Sequence, residues 1–183
     1  MTFTLTDNEK QILLTAARSA IKKKLFQSSP AIPAPTDNVK RLCGAFVTLH
    51  LDGKLRGCIG HIIGDEPLYD TVQNMAVAAV FQDPRFPPLS KEEYPRLSIE
   101  ISVLSPFEKI DDVNKIEVGK HGIFLSRGAA SGLLLPQVAV EQGWDRTTFL
   151  TNTCYKAGLN GSCWKDPATE IKIFSAIIFG ENE

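Results

Sequence analysis

The sequence predicts an α+β fold in which an antiparallel sheet is flanked by helices, with a smaller second α/β lobe. Residues 6–27 have the apolar spacing of an amphipathic helix, and Asp52-Gly53 separates two apolar segments as a tight hairpin turn does. Helices and hairpins are interspersed without the regular βαβ order of a parallel sheet. The 183 residues, 43% of them hydrophobic, suffice for one full core or two small ones. We therefore expect one domain over residues 1–183, with room for two intertwined sublobes.

The first helix and the hairpin have clear boundary signals. Thr6 followed by Glu9 forms a capping box, and apolar residues then recur at helical spacing until about Gln27. A loop over residues 28–37 follows and contains three prolines. The apolar segment 41–51 then leads into Asp52-Gly53, a pair that favours a two-residue type I′ turn.

The middle of the chain predicts a helix followed by a strand. Pro67 suits the first position of an Ala- and Val-rich helix that ends near Gln82, where the prolines of residues 83–88 stop it. Leu97–Leu104 alternates apolar and polar residues and predicts a strand with one buried face. The remaining predicted elements are strands over 122–127 and 132–135 around residues 128–131, a short helix from Pro136, a helix over 146–157 capped by Asp145, and a buried strand over 171–179.

The charge balance argues against a nucleic-acid partner. The chain has 20 Lys and Arg against 21 Asp and Glu, a net charge of −1, which excludes a dominant phosphate-binding surface. The one basic run, Lys22 to Lys24, falls at a helix end, where it complements the helix dipole and is solvated. Because no segment approaches 18 consecutive apolar residues and residues 1–4 do not resemble a signal peptide, we expect a soluble cytoplasmic protein without membrane contact.

The cysteines and histidines predict neither a disulfide nor a metal site. Cys43, Cys58, Cys154 and Cys163 form no C-x-x-C pair and stand at no zinc-finger spacing from a histidine. Reduced thiols are the default in a cytosolic chain of this length. Three scattered histidines do not suffice for a metal centre, and we expect no cofactor.

The segment Leu55-Arg56-Gly57-Cys58-Ile59-Gly60 places a guanidinium and a thiol on alternate strand positions between glycines. Alternate residues share a strand face, so both side chains should point the same way. A tight turn pairs Leu49 with Arg56 and Val47 with Cys58. Glycines in a strand often mark the close approach of a ligand or another backbone, and here they leave room for approach to Arg56.

Residues 55–61 resemble the AMMECR family, whose prokaryotic members are called AmmeMemoRadiSam system protein A. Residues 81–89, 97–104 and 132–139 are similar to three further blocks of that family, in the same order. The resemblance implies a two-part α+β module and no particular reaction. It also implies a shared pathway with a Memo-type protein and a radical SAM protein, whose genes accompany those of the prokaryotic members.

Two interpretations of Arg56 remain open at this point. A buried guanidinium is costly unless a carboxylate meets it, and Glu100 stands alone on the polar face of its strand. In the first interpretation Arg56 and Glu100 form a structural ion pair between strands. In the second, Arg56 faces a cleft and holds an anionic small molecule bidentately.

Cys58 and Glu100 are the candidate catalytic residues. Cys58 can act as a nucleophile because a nearby cation favours the reactive thiolate. However, cysteine is also among the residues most often buried as an inert small hydrophobe, and no base is obviously positioned beside it. Glu100 can orient a ligand or accept a proton. His61 is a further candidate ligand-binding residue of the cleft. It lies on the opposite face of a regular strand, and only a bulge at Gly60 would bring it next to Cys58.

The other candidate ligand-binding residues come from loops and turns. Asp83 and Arg85 follow a helix end, where they either form a turn that caps the helix or line a cleft beside the hairpin. Arg127 and Gln137 can add hydrogen-bond donors to such a cleft. Two functions result: a component of a modification pathway with an anion-binding cleft at the hairpin, or a non-catalytic module that presents the hairpin to a partner protein.

Overall fold

The computed structural model describes residues 3–181. The helices are α1 (Asp7–Phe26), α2 (Leu68–Phe81), α3 (Pro136–Glu141) and α4 (Arg146–Lys156). The strands are β1 (Ala45–Leu51), β2 (Lys54–His61), β3 (Leu97–Leu104), β4 (Glu108–Ile110), β5 (His121–Arg127), β6 (Ala130–Leu134) and β7 (Glu170–Gly180). The chain divides into two compact units. The larger unit runs to Leu104 and resumes at Ile177, and the smaller unit lies between these residues. Within the described residues, no helix is long and apolar enough to cross a membrane.

The predicted fold class is confirmed, and several element boundaries agree with the prediction. The capping box between Thr6 and Glu9 is formed, and α1 ends at Gln27 in the left-handed conformation. Strand β3 covers the predicted Leu97–Leu104. Helix α2 begins one residue late, because Pro67 is its N-cap rather than its first residue.

The larger unit is built around one face of a sheet. Its strands have the order β2–β1–β3, and the end of β7 lies beside β3. All assigned pairs among β1, β2 and β3 are antiparallel. Alternate residues of β1 and β3 enter the core together with the apolar faces of α1 and α2. The buried strand positions, each at most 1% exposed, are Val47, Leu49, Ile99, Ile101 and Val103.

The register of the hairpin differs from the predicted one beyond its first two pairs. Leu51 faces Lys54 and His50 faces Leu55, as a two-residue turn requires, but a β-bulge follows between Leu49 and His50. Leu49 then faces Gly57, and Cys58 faces Thr48 rather than Val47. Arg56 is the extra residue of the bulge. The predicted pairing of Arg56 with Leu49 is therefore wrong, because a bulge inserts one unpaired residue.

The glycines of the hairpin are explained by packing within the larger unit. A Cβ at Gly57 would collide with the carbonyl oxygen of Ala79, because α2 lies directly on the backbone of β2. A Cβ at Gly60 would collide with the ring of Phe46, which covers it. The prediction that these gaps give access to Arg56 is wrong, since a helix backbone and an aromatic ring fill them.

The smaller unit surrounds the first part of β7. Strands β4 and β5 both pair with β7, and β6 pairs with β5. The β5–β6 turn is the two-residue Gly128-Ala129, tighter than the predicted loop over 128–131. The sequence analysis did not predict β4, which is only three residues long. The largest fully buried side chains of this core are Phe149, Ile116, Ile123 and Leu125.

A disulfide joins Cys154 of α4 to Cys163, with 5.8 Å between their Cα atoms. The expectation that all four thiols are reduced is therefore wrong. Both bridged residues are buried in the core of the smaller unit. Cys43 and Cys58 are free, so Cys58 is the only partly exposed thiol among residues 3–181.

Candidate functional site

Three chemically competent side chains form a row across the outer face of the β2–β1–β3 sheet. Cys58 faces Thr48 on β1, and Thr48 faces Glu100 on β3. All three are partly exposed, because their neighbours along each strand point into the core. The Thr48 hydroxyl donates to the Cys58 sulfur over 3.3 Å. We call the sheet face that carries this row the Cys58 face.

Glu100 is the member of this row with an unused side chain. Within residues 3–181, no hydrogen bond or ion pair engages its carboxylate. Neighbouring strands lie about 4.8 Å apart, so two spacings place Glu100 roughly 10 Å from Cys58. The carboxylate therefore does not accept the Cys58 proton directly. A ligand that extends across Thr48 would meet both groups.

The edge of the Cys58 face is formed by the loop that follows α2. The Cys58 amide donates to the Asp83 carboxylate over 2.9 Å, and the Arg85 guanidinium reaches the Cys58 carbonyl over 3.4 Å. Strand β2 is an edge strand, whose outward amide and carbonyl would otherwise lack protein partners. Asp83 and Arg85 thus bind the Cys58 backbone as a neighbouring strand would. The predicted role of Asp83 as a helix cap is replaced by this contact with the hairpin.

Asp83 and Arg85 also hold each other. Two guanidinium nitrogens of Arg85 donate to the Asp83 carboxylate over 3.0 and 2.7 Å. The bond from Arg85 lowers the pKa of Asp83 far below its usual value of 3.8; burial opposes this effect, and the amides of Cys58 and Arg85 reinforce it. The same pairing raises the pKa of Arg85. The Arg85 side chain is 54% exposed. Asp83 compensates its charge, but the part of the guanidinium that Asp83 does not bind is open to solvent beside Cys58.

Arg56 pairs with Glu93 and not with Glu100. Its Nε and Nη2 donate to the two Glu93 oxygens over 2.8 and 3.1 Å, and Nη2 also donates to the Pro87 carbonyl over 2.9 Å. The hydrogen bond from Arg56 lowers the pKa of Glu93 to about 2, against the opposing effect of burial. The predicted Arg56–Glu100 ion pair is wrong, because the bulge directs Arg56 toward the loop after α2.

The geometry also limits Arg56 as an anion-binding group. Its bidentate edge is occupied by Glu93, and the residue is only 7% exposed. Its remaining nitrogen, Nη1, is buried without a hydrogen-bond partner among residues 3–181. Of the two arginines of this site, only Arg85 has a side chain that reaches solvent beside Cys58.

Phe86 joins the two arginines. The Arg56 and Arg85 guanidinium carbons lie 5.8 and 5.5 Å from the centre of its ring, within the range of cation–π contacts. The hairpin motif and the segment 83–93 are therefore held together by an aromatic ring as well as by two carboxylates. This interlocking fixes the position of the Cys58 backbone.

His61 does not join Cys58. The register from Gly57 to His61 is continuous, so Gly60 forms no bulge and His61 faces Ala45. Alternation therefore places His61 on the face opposite Cys58. The ring is exposed, with Nδ1 3.9 Å from an Asp65 oxygen. The geometry of β2 therefore excludes a pair between Cys58 and His61.

The other two predicted binding residues belong to the smaller unit. Arg127 ends β5 and pairs with Asp166 over 2.9 Å. Gln137 lies in the first turn of α3 and is partly exposed. Across the described range 3–181, no group of three His, Cys, Asp or Glu side chains has the proximity a metal ion needs.

The sequence analysis did not identify Thr48 and Glu93 as site residues. Thr48 has a recognisable signal, because it is a polar residue between apolar neighbours on a strand beside the motif. Glu93 has none, since residues 89–96 show no periodicity that would assign a face.

Comparison with known proteins places this arrangement in a family. Residues 14–179 match the model of the AMMECR1 family. A protein of Methanopyrus kandleri is 44% identical over 193 residues, which cover 98% of this chain and 91% of that protein. A protein of Methanothermobacter thermautotrophicus is 43% identical, with 97% of each chain covered.

The fold has a relative of known structure. The crystal structure of an uncharacterized protein from Pyrococcus horikoshii is 40% identical in sequence and similar with a TM-score of 0.79. The similarity covers 97% of this chain and 93% of that one. Because the family model spans nearly the whole sequence and these relatives match it almost end to end, the chain belongs to the AMMECR1 family.

Proposed function

We propose that this chain is a cytoplasmic component of a modification pathway, in which it acts with Memo-type and radical SAM proteins. Its own contribution is to bind a polar ligand with an anionic group on the Cys58 face. The observation that supports this proposal is the row of thiol, hydroxyl and carboxylate across three strands, in which Glu100 has no partner within residues 3–181. A partly exposed carboxylate that no protein group engages has its acceptor oxygens available to a ligand.

Each side chain has a distinct role in this proposal. Arg85 attracts the anionic group through the part of its guanidinium that Asp83 does not engage. Glu100 orients the other end of the ligand or accepts a proton from it. Cys58 lies between them in reach of the ligand. If the ligand has an electrophilic carbon with a leaving group, the Cys58 sulfur can bond to that carbon as the bond to the leaving group breaks, with the thiol proton released to solvent. Arg56 has a structural role, since Glu93 neutralises it.

Complementation tests the role of the Cys58 face. A strain that lacks the gene is supplied with the wild type, Cys58→Ser or Glu100→Gln, and its small molecules and proteins are compared by untargeted mass spectrometry. Both variants should have a Tm within about 2 °C of the wild type, because neither substitution breaks an ion pair. Neither should restore the small molecules or modified proteins that appear only in the strain supplied with the wild type. The control is Glu92→Gln, which makes the same chemical change at an exposed residue outside the row of Cys58, Thr48 and Glu100. Full restoration by both variants would refute a role for this face.

Alkylation tests the nucleophilic role of Cys58 separately. Iodoacetamide near neutral pH should modify Cys58 in the folded protein and leave the buried Cys43 unmodified. Peptide mapping by mass spectrometry identifies the modified residue. An unmodified Cys58 would exclude the nucleophile, whereas the binding roles of Glu100 and Arg85 would still depend on the complementation result.

A second candidate function is a non-catalytic module that binds a partner protein through the hairpin. It is favoured by Leu42, Ile62 and Ile63, which are exposed at the open end of the hairpin, Ile63 by 66%. Such apolar groups often mark protein contacts. In this case Ile63→Asp should abolish co-purification with the Memo-type or radical SAM protein, while Cys58→Ser and Glu100→Gln restore the pathway fully.

A further inference from the structure

A groove runs along the junction of α1 and α2 in the larger unit, away from the residues of the Cys58 face. It has a volume of about 520 Å³, within the range of ligand and peptide pockets. Its apolar part is formed by Ala20 of α1, Val77 of α2 and Ile32 of the loop after α1. Ile32 is 38% exposed, so part of this apolar surface lies open to solvent.

The wall that carries Ile32 is held in place on both sides. The Ser19 hydroxyl donates to the Ala31 carbonyl over 3.3 Å, and the Tyr69 hydroxyl donates to the Pro33 carbonyl. These bonds come from α1 and α2, the two helices that border the groove. The loop therefore presents Ile32 in a fixed position, and a partner would not have to order it on binding.

The polar part of the groove carries one sign of charge. Lys23 and Lys24 line it together with amide side chains, and no carboxylate among residues 3–181 does. Neither lysine forms an ion pair with any residue from 3 to 181. One of the amides, Asn74, donates to the carboxylate of Glu66. Glu66 itself does not line the groove. Since the whole chain has a net charge of −1, this positive surface is a local feature of the groove.

We propose that this groove binds an acidic segment of a partner protein. The segment inserts an apolar side chain against Ile32 and Val77 and places carboxylates beside Lys23 and Lys24. Complementary charge and an apolar anchor are the two elements of peptide recognition in helix-lined grooves. This interaction is independent of the chemistry proposed at Cys58.

Two other anionic partners fit the groove less well. In the described part of the chain, no aromatic side chain lines it, whereas single-stranded nucleic acids are usually held by bases stacked on aromatic rings. Its apolar floor is concave, so a flat lipid surface would meet the lysines without covering Val77. A peptide can place an apolar side chain on the floor of the groove and carboxylates beside the lysines at its rim.

Selection from a random peptide library displayed on phage tests the proposal on the full chain. The enriched peptides should share carboxylates spaced around an apolar residue. For a synthetic peptide of that consensus, Lys24→Glu and Ile32→Ser should each raise the Kd at least tenfold in fluorescence anisotropy. Lys22→Glu changes the net charge equally but does not line the groove, and it should raise the Kd less than threefold.

Several results would overturn the proposal. These are the absence of enrichment, a basic or uncharged consensus, or equal losses for Lys22→Glu and Lys24→Glu. Binding of phosphatidylserine vesicles or of single-stranded RNA that is tenfold weaker in Lys24→Glu, without peptide binding, would assign the groove to a different partner. Circular dichroism confirms that the variants are folded, as expected for substitutions of exposed residues.

Discussion

Replacing Glu93 by glutamine is expected to destabilise the protein strongly, because Glu93 is the counterion of the buried Arg56. The change keeps the size of the side chain and removes its charge. Arg56 would then remain 7% exposed, with its bidentate partner neutralised and Nη1 already without a partner within residues 3–181. A buried charge that loses its counterion costs several kcal/mol.

Two figures for the loss in the free energy of unfolding agree. Breaking a buried ion pair costs roughly 3–5 kcal/mol. The pKa of Glu93 is lowered from 4.5 to about 2, which corresponds to about 3 kcal/mol at neutral pH. The Glu93 side chain is 23% exposed, so we take the lower figure. For a chain of this size, that loss lowers Tm by roughly 6–12 °C.

The pH dependence of the loss has a definite sign. Because the pKa of Glu93 is lower in the folded state, its stabilisation is complete above about pH 4.5 and disappears as the pH falls toward 2. Thermal unfolding of the wild type and Glu93→Gln from pH 7 to pH 3 measures this convergence. Glu100→Gln is the matched control and should lose less than about 1 kcal/mol. A loss below 1 kcal/mol for Glu93→Gln, or an equal loss for Glu100→Gln, would refute the assignment.

Three further predictions concern stability. Gly57→Ala should cost roughly 1–3 kcal/mol in urea unfolding, since its Cβ would collide with the Ala79 carbonyl and displace α2; a loss under 0.5 kcal/mol would contradict the close approach. Replacing Cys154 and Cys163 together by alanine should cost roughly 2–3 kcal/mol, and reductant should lower the urea midpoint of the wild type but not of the variant. Burial raises the pKa of Glu9, but hydrogen bonds from the N-cap and the loop after α1 outweigh it and lower that pKa below 4.5. Its stabilisation should therefore fade below about pH 4.5, and Glu9→Gln should be less sensitive to acid than the wild type in that range.

The elements that the sequence predicted well are those with signals inside a few neighbouring residues. The capping box at Thr6 and Glu9 needs only one helical turn, and the alternation over Leu97–Leu104 needs only one strand. Both were predicted with boundaries within a residue. Short elements such as β4 contain too few residues for a period to appear.

The hairpin register could not be predicted from its turn alone. The turn sets the pairs His50–Leu55 and Leu51–Lys54 correctly, but the bulge inserts Arg56 immediately afterward. A shift of one residue changes the partner of every following residue. Glycine at position 57 is compatible both with a bulge and with close helix packing, and only the contact with Ala79 distinguishes them.

The disulfide was missed for a different reason. Reduced thiols were expected because disulfides are rare in the cytosol, and this rule concerns the redox compartment rather than the geometry of the chain. Cys154 lies in the last turns of α4, and Cys163 begins a short 3-10 turn. Cys154 and Cys163 are nine positions apart in the sequence. Whether the chain between them brings the two sulfur atoms together depends on that turn, for which the sequence carries no periodic signal.

The contacts of the two motifs indicate which of their residues remain available for function. Arg56 is neutralised by Glu93, Asp83 binds the Cys58 amide, and Phe86 lies against both arginines. Gly57 accommodates α2. These contacts give each of these residues a structural role. The Cys58 thiol is different, because the backbone of its strand is bound from the edge while its side chain stays on the outer face of the sheet. The Glu100 carboxylate, which no residue from 3 to 181 engages, lies on the same face, so the ligand that we propose for this face would contact both groups.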